Sequence, residues 1–228
     1  MSKEQTAAEA RAQYETAMGS ELGAIYAELV QELCRTQLVW NQYKVLFGTK
    51  GSRVDLLNAA SGSFFRIVQD CLFDQVLLSI SRMTDKPSIW GKETLTVKRL
   101  AALMPDPAGA NRVSDKVNVA IHAEDFCRDW RNNRISHNSL EHRLDPSKTL
   151  KEATRLKVDA ALAALAGVLN AVSTHYNVGE MAYDAILPSH PDAEGLLYVI
   201  YDGLKAEEQR RMKIKTGDYS TADYPPAL

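Results

Sequence analysis

Apolar positions recur at three- and four-residue steps along almost the whole chain, and no segment alternates convincingly as a strand does. Between Ser20 and Phe47, residues Leu22, Ile25, Leu29, Leu33, Leu38 and Leu46 mark one long amphipathic helix, stopped by the glycines of "GTKGS". A second helix runs from about Arg53 to Met83 on Leu56, Phe64, Ile67, Leu72, Val76 and Ile80, and Pro87 forbids its continuation. A short helix around Thr96 to Met104 follows, closed by "PDPAG". A third main helix spans about Arg112 to Arg134, a fourth about Thr149 to Tyr176, and a further one about Glu194 to Met212.

The pattern predicts an all-α fold, a bundle of four main helices with an additional C-terminal helix and tail. Residues 1–19 read as a helical or disordered lead-in, 20–176 as the bundle, and 177–228 as a helical extension. That extension ends in a poorly ordered tail, "KTGDYSTADYPPAL".

Composition narrows the function classes. The chain has 228 residues, 45% of them hydrophobic and 25% charged, which suits a water-soluble globular domain with an ample core. A net charge of −2 gives no global attraction to nucleic acid, so an RNA partner needs a local basic patch. The N-terminus "MSKEQTAAEARAQ" lacks the apolar stretch of a signal peptide. The Ala-rich run "AALAALAGVL" is about half a bilayer span and reads as a tightly packed helix. These features lead us to expect a cytoplasmic protein with no membrane partner. Cys34, Cys71 and Cys127 stand among apolar neighbours without metal-ligand spacing, as reduced core thiols do.

Familiar chemistries are mostly excluded. "GTKGS" lies between helices and lacks the GxxxxGK[ST] of a phosphate loop. His137, Glu141, His142 and Asp145 lack HExxH and read as a solvated polar loop, so neither a metal nor another cofactor is expected. There is no G-x-S-x-G elbow. Arg82 and Asp85, three apart near a helix end, fit a local ion pair or a supporting role beside a site.

The stretch "DWRNNRISHNSL", Asp129 to Leu140, holds the chemistry. On a regular helix Val119, Ala120, Ala123, Phe126, Cys127 and Trp130 form an apolar stripe, with Trp130 buried. Ile135 resumes the stripe out of phase, which suggests a bend or break around Asn132–Asn133. Without such a break, Arg131 and His137 would stand about 120° apart and about 9 Å along the axis. Two chains about a two-fold axis could bring copies of both to one cleft. Arg offers a planar fork for phosphate oxygens, and His moves protons near neutrality, which together suffice for metal-independent RNA cleavage. On the residues alone, a basic turn that favours the helix dipole is the better account.

The form R-N-x4-H in "RNNRISH", within the third long helix of an α bundle, resembles the signature of the HEPN superfamily. The blocks "LVWNQYKVLFG", "LLNAASGSFFRIVQDCLFDQVLLSISRMTDKP", "TLTVKRL" and "DWRNNRISHNSL" resemble its abortive-infection AbiU branch, over about residues 20 to 175. The resemblance implies a HEPN-like fold, a homodimer with the motif at its interface, and endoribonuclease activity in bacterial phage defence or a toxin–antitoxin pair. It implies Arg131 as phosphate ligand, Asn132 as its polar companion and His137 as the acid–base group. Arg134 and Arg128 are added as RNA contacts. Ser139 stands where one group of HEPN toxins carries a modifiable tyrosine. A separate antitoxin or regulator would be a further partner. The alternative is a non-catalytic HEPN dimer that binds RNA, a nucleotide or protein.

Overall fold

The computed structural model describes residues 6–137, 139–186, 192–218 and 220. The fold is all-α, with one two-stranded hairpin among the described residues. The helices are α1 (Ala7–Met18), α2 (Ser20–Tyr43), α3 (Gly51–Met83), α4 (Pro107–Ala123), α5 (Asp125–Trp130), α6 (Leu140–Leu144), α7 (Arg155–His175) and α8 (Ala193–Thr216). The strands are β1 (Ser88–Ile89) and β2 (Lys92–Glu93), antiparallel, with Ser88 opposite Glu93 and Ile89 opposite Lys92. Two compact units form: Met1–Trp40 with Leu72–Leu187, and Asn41–Cys71 with Pro188–Leu228.

In the first unit the lead-in is a capped helix. Thr6 Oγ1 accepts from Glu9 N while the Thr6 amide donates to Glu9 Oε2, a reciprocal box that satisfies two otherwise orphaned donors. After Gly19 (φ 88°) the chain reverses into α2. There Gly23 lets the two backbones touch, because a Cβ at this position would lie 2.5 Å from backbone atoms of Tyr14 and Glu15.

The centre of this unit is the packing of α4 on α7. Val113, Val117 and Ala120 are buried on α4, and Val158, Leu162, Leu165, Leu169 and Val172 on α7. By length and composition α7 could cross a membrane, yet its apolar stripe is closed in this core. Trp40 is fully buried and donates from Nε1 to Asp159 Oδ1 at 2.6 Å. Phe73 lies tilted against Trp40 and edge-on to Trp130.

The expected continuous helix from Arg112 to Arg134 is three pieces. It starts earlier, at Pro107, where Asp106 Oδ1 accepts from Gly109 N at 2.8 Å. It breaks at Glu124 (φ −90°, ψ −4°), and α5 then runs into a π-helical stretch, Arg131–Ile135. Val119, expected in the apolar stripe, is exposed, and Trp130 is half-buried. The break at Glu124 rotates the residues after it relative to α4, so one stripe cannot span both. The expected helix over Thr96–Met104 is two 3₁₀ turns, Val97–Arg99 and Ala101–Leu103.

Strands were not expected, and β1 and β2 are too short to show an alternation. Their connecting residues, Trp90 (φ 53°) and Gly91 (φ 75°), are both left-handed, as a two-residue hairpin turn of this kind requires. For Trp90 this conformation costs on the order of 1 kcal/mol.

The second unit contains the π-helical end of the first predicted helix, Lys44–Gly48, and the first part of α3. Arg53 donates to the Val45 carbonyl at 2.9 Å and to Glu194 Oε1 at 2.9 Å, tying the turn to α8. Gln42 Oε1 accepts from Ala193 N, filling one vacancy at the start of α8. Ser61 (φ −167°, ψ 81°) interrupts α3. Leu57 and Phe65 are therefore the buried residues near it, while Phe64 and Ile67, expected on the apolar face, are 58% and 62% exposed. Cys71 is exposed, Cys34 partly so, and only Cys127 is a fully buried thiol. The tail expected to be poorly ordered lies largely outside the described residues, although α8 continues into it as far as Thr216.

Candidate active site

The end of α3 supplies an acid. Thr96 Oγ1, itself fully buried, lies 3.0 Å from the Met83 carbonyl and 2.9 Å from that of Asp85, so the turn after α3 is held against the following loop. Asp85 is buried. Its Oδ1 accepts from Arg128 Nη1 at 2.9 Å and from Arg131 Nη1 at 2.6 Å.

Arg128, expected to contact substrate, is instead engaged in every direction. Its Nε and Nη2 donate to Glu124 Oε1, and Nη2 also meets the Ser81 carbonyl, the Thr84 carbonyl and Thr84 Oγ1. Five donors in a rigid fork make this side chain a clamp between α5 and the end of α3. Glu124 is 1% exposed, with Oε2 buried and lacking a hydrogen-bond partner. Burial pushes its carboxyl pKa above the ordinary range, with the Arg128 charge opposing that shift.

Arg131 is less committed. Besides Asp85 it reaches Ser81 Oγ at 3.4 Å, and its side chain keeps 24% exposure, enough to meet a ligand from solvent. The π-helical stretch begins at this residue. Ser136 N donates to the Arg131 carbonyl at 2.9 Å, a five-residue step in place of four. Asn132 and Arg134 are exposed, and His137 follows, exposed, in non-helical backbone. The expected break thus falls between Arg131 and His137. The Arg134 guanidinium sits 5.0 Å from the Trp130 ring centroid, and Trp130 Nε1 donates to the Lys151 carbonyl at 2.8 Å.

Arg82 does not pair with Asp85. It is exposed and lines, with Asp85, Glu32, Met83, Thr94 and Leu95, a cleft of about 270 Å³. Lys98, which sequence reasoning missed, lies close to Arg128, Glu124 and Asp85. Burial first and the Arg128 charge second lower its ammonium pKa, with Glu124 and Asp85 opposing. Glu124 was also missed, although its four-residue spacing from Arg128 is a legible helix pair. The site thus joins three cations, Arg128, Arg131 and Lys98, to two carboxylates, Asp85 and Glu124.

The remaining candidates have structural work. Glu141 pairs with Lys148 at 2.9 Å, His142 Nδ1 lies 3.2 Å from Ser139 Oγ, and Asp145 caps Ser147. Among the described residues, no group of three or more His, Cys, Asp and Glu is placed to hold a metal ion. Burial raises the Cys127 thiol pKa well above its ordinary value, so this thiol is not an activated nucleophile. A separate groove of about 820 Å³ between α4 and α7 holds His175, whose Nδ1 is 3.2 Å from Arg112 Nη2. Since arginine can only donate, Nε2 carries the ring proton and faces Asp106 Oδ2 at 3.3 Å.

An all-α domain with an arginine and a histidine straddling a break in its third main helix has the features of a HEPN domain. Residues 19–195 match the HEPN AbiU2 family, and the chain belongs to that family. No curated protein and no solved structure matches the chain.

Proposed function

We propose that the chain is a metal-independent endoribonuclease, active as a homodimer, that serves bacterial phage defence in the cytoplasm, alone or with a separate antitoxin. The π-helical stretch between Arg131 and His137 carries this reading, because it removes the regular-helix geometry that would keep the two apart. In the proposed reaction Arg131 binds a non-bridging phosphate oxygen. A neutral His137 takes the proton of the ribose 2′-hydroxyl as that oxygen attacks phosphorus, and a protonated His137 from the second copy protonates the departing 5′-oxygen. The products are a 2′,3′-cyclic phosphate and a free 5′-hydroxyl. Asn132 assists at the phosphate and Arg134 at the flanking backbone.

A second reading, a non-catalytic HEPN dimer that binds RNA, a nucleotide or protein, is favoured by one observation: a donor of Arg131 is already taken by Asp85 at 2.6 Å. Incubation with total bacterial RNA, tRNA included, in EDTA separates the two. The first reading expects cleavage that leaves 2′,3′-cyclic ends and disappears in His137→Ala and Arg131→Ala. Absence of cleavage by a folded wild-type dimer, with RNA still bound, supports the second.

A further inference from the structure

The hairpin that follows Asp85 carries a tryptophan in an unusual setting. Trp90 is 97% exposed and sits at a left-handed position that Asn or Gly would occupy more readily. Packing gives no reason for such a ring to be there. The turn is nonetheless rigidly mounted. Thr94 N donates to the Pro87 carbonyl at 3.0 Å, and Arg99 donates from Nε to the Thr94 carbonyl at 2.7 Å. Arg99 Nη2 meets the Pro87 carbonyl and the Glu93 carboxylate. Thr96, at the far end of this loop, binds the Asp85 carbonyl, so hairpin and site share one anchor.

Trp90 lies five positions after Asp85, at most about 18 Å of chain. The surroundings are ionic. Lys86 and Lys92 are exposed, and among the described residues neither forms an ion pair. Lys98 carries the positive charge on from Lys86 to Arg128. Exposed neighbours in the hairpin are Ser88, Gly91, Lys92 and Glu93. A protein-docking anchor would sit within a broad apolar patch. In this loop the other exposed large apolar side chain is Leu95, and a ring flanked in sequence by Lys86 and Lys92 matches the aromatic-plus-cation pattern that binds unpaired nucleotides.

We propose that Trp90 is a stacking platform for an unpaired base of single-stranded RNA whose backbone runs along Lys86 and Lys92 toward Arg131. This rests on the ribonuclease reading of the site. It adds a base contact outside the Arg131–His137 motif, since a solvent-facing ring can stack on a splayed base but not on one already sandwiched in a duplex.

The test uses the full chain carrying His137→Ala, in EDTA, titrated with fluorescently labelled oligoadenylate and with a blunt RNA duplex. Binding is read by anisotropy of the label. Adding Trp90→Ala should weaken oligoadenylate binding about ten-fold, Trp90→Phe should fall between, and duplex binding should not change. Unlabelled oligoadenylate should quench the exposed tryptophan emission, and Trp90→Ala should remove that quench. Equal oligoadenylate affinity with and without Trp90, no binding of either RNA, or a loss of dimer caused by Trp90→Ala would each overturn the proposal. Cleavage is scored separately on the His137 protein. His137-dependent cleavage with Trp90-independent binding sinks only the stacking role. Trp90-dependent binding without cleavage sinks only the catalytic reading.

Discussion

One carboxylate oxygen, Asp85 Oδ1, accepts from Arg131 at 2.6 Å and from Arg128 at 2.9 Å. The two arginines are three residues apart, where α5 passes into the π-helical stretch, and the acid comes from the turn after α3. This makes Asp85 the joint between two otherwise separate pieces of backbone and fixes where the Arg131 fork points. Replacing Asp85 with Asn keeps an acceptor but leaves two guanidiniums facing each other without their common counter-charge. The expected loss is about 2 kcal/mol in urea unfolding, below the range for a fully buried pair because both arginines are partly solvated. Arg131→Ala should cost less, since Asp85 then keeps Arg128. An equal or larger loss for Arg131→Ala would show that the joint lies elsewhere.

Glu124 makes stability depend on pH in a stated direction. Its folded pKa is raised above the ordinary 4.5, chiefly by burial. The folded protein therefore holds this proton more tightly than the unfolded chain does. The favourable contribution is complete below about pH 4.5 and fades as pH rises through the folded pKa. Glu124→Gln, which keeps an oxygen for Arg128, should remove this component. Urea midpoints of both proteins at a series of pH values from about 4 upward provide the check: the wild type should lose stability relative to the variant as pH rises above about 4.5. Parallel curves would mean that Glu124 does not titrate differently in the two states.

Gly23 should be the least replaceable residue of α2. A Cβ there meets the α1 backbone at 2.5 Å, and backbone cannot swing aside as a flexible side chain would. Gly23→Ala gains helix propensity in the unfolded balance, yet overpacking should dominate and cost about 3 kcal/mol. Limited proteolysis should then cut within Ala7–Met18 first, as α1 lifts away. An unchanged melting temperature and cleavage pattern would count against the close α1–α2 contact.

The helices were legible because they are long and their buried faces repeat. The candidate site was legible only where its residues are close in sequence. Arg131, Asn132 and His137 could be read from one heptapeptide, and the phase slip at Ile135 foretold a break. The partner of Arg131 could not be read, because it stands 46 residues earlier and local spacing pairs Asp85 with Arg82 instead. Arg128 was legible only as an RNA contact, since nothing in sequence shows that the turn after α3 surrounds it with carbonyls. Lys98 approaches Arg128 only through the folded loop. The kink at Ser61 carries no proline, and it shifts the buried face from Phe64 to Phe65 without a sequence mark. Two-residue strands closed by Trp-Gly, in place of Asn-Gly, give neither an alternation nor a strong turn signal.

Trp90 offers a case where stability and the proposed role pull apart. Its left-handed backbone (φ 53°) is one that asparagine adopts more readily than tryptophan, and its ring, being 97% exposed, loses nothing of the core when removed. Trp90→Asn should therefore raise stability by about 1 kcal/mol, a gain of a few degrees or less in melting temperature for a chain of this size. The clamp by Arg99 and the Thr94–Pro87 hydrogen bond lie outside the turn, so the hairpin itself should persist. Thermal unfolding of the two proteins measures the difference directly. If Trp90→Asn is less stable than wild type, the ring makes a stabilising contact in solution, and its exposure is then not the free surface that base stacking requires. If it is more stable, the tryptophan is held at a cost to the fold, as expected of a residue retained for what it binds.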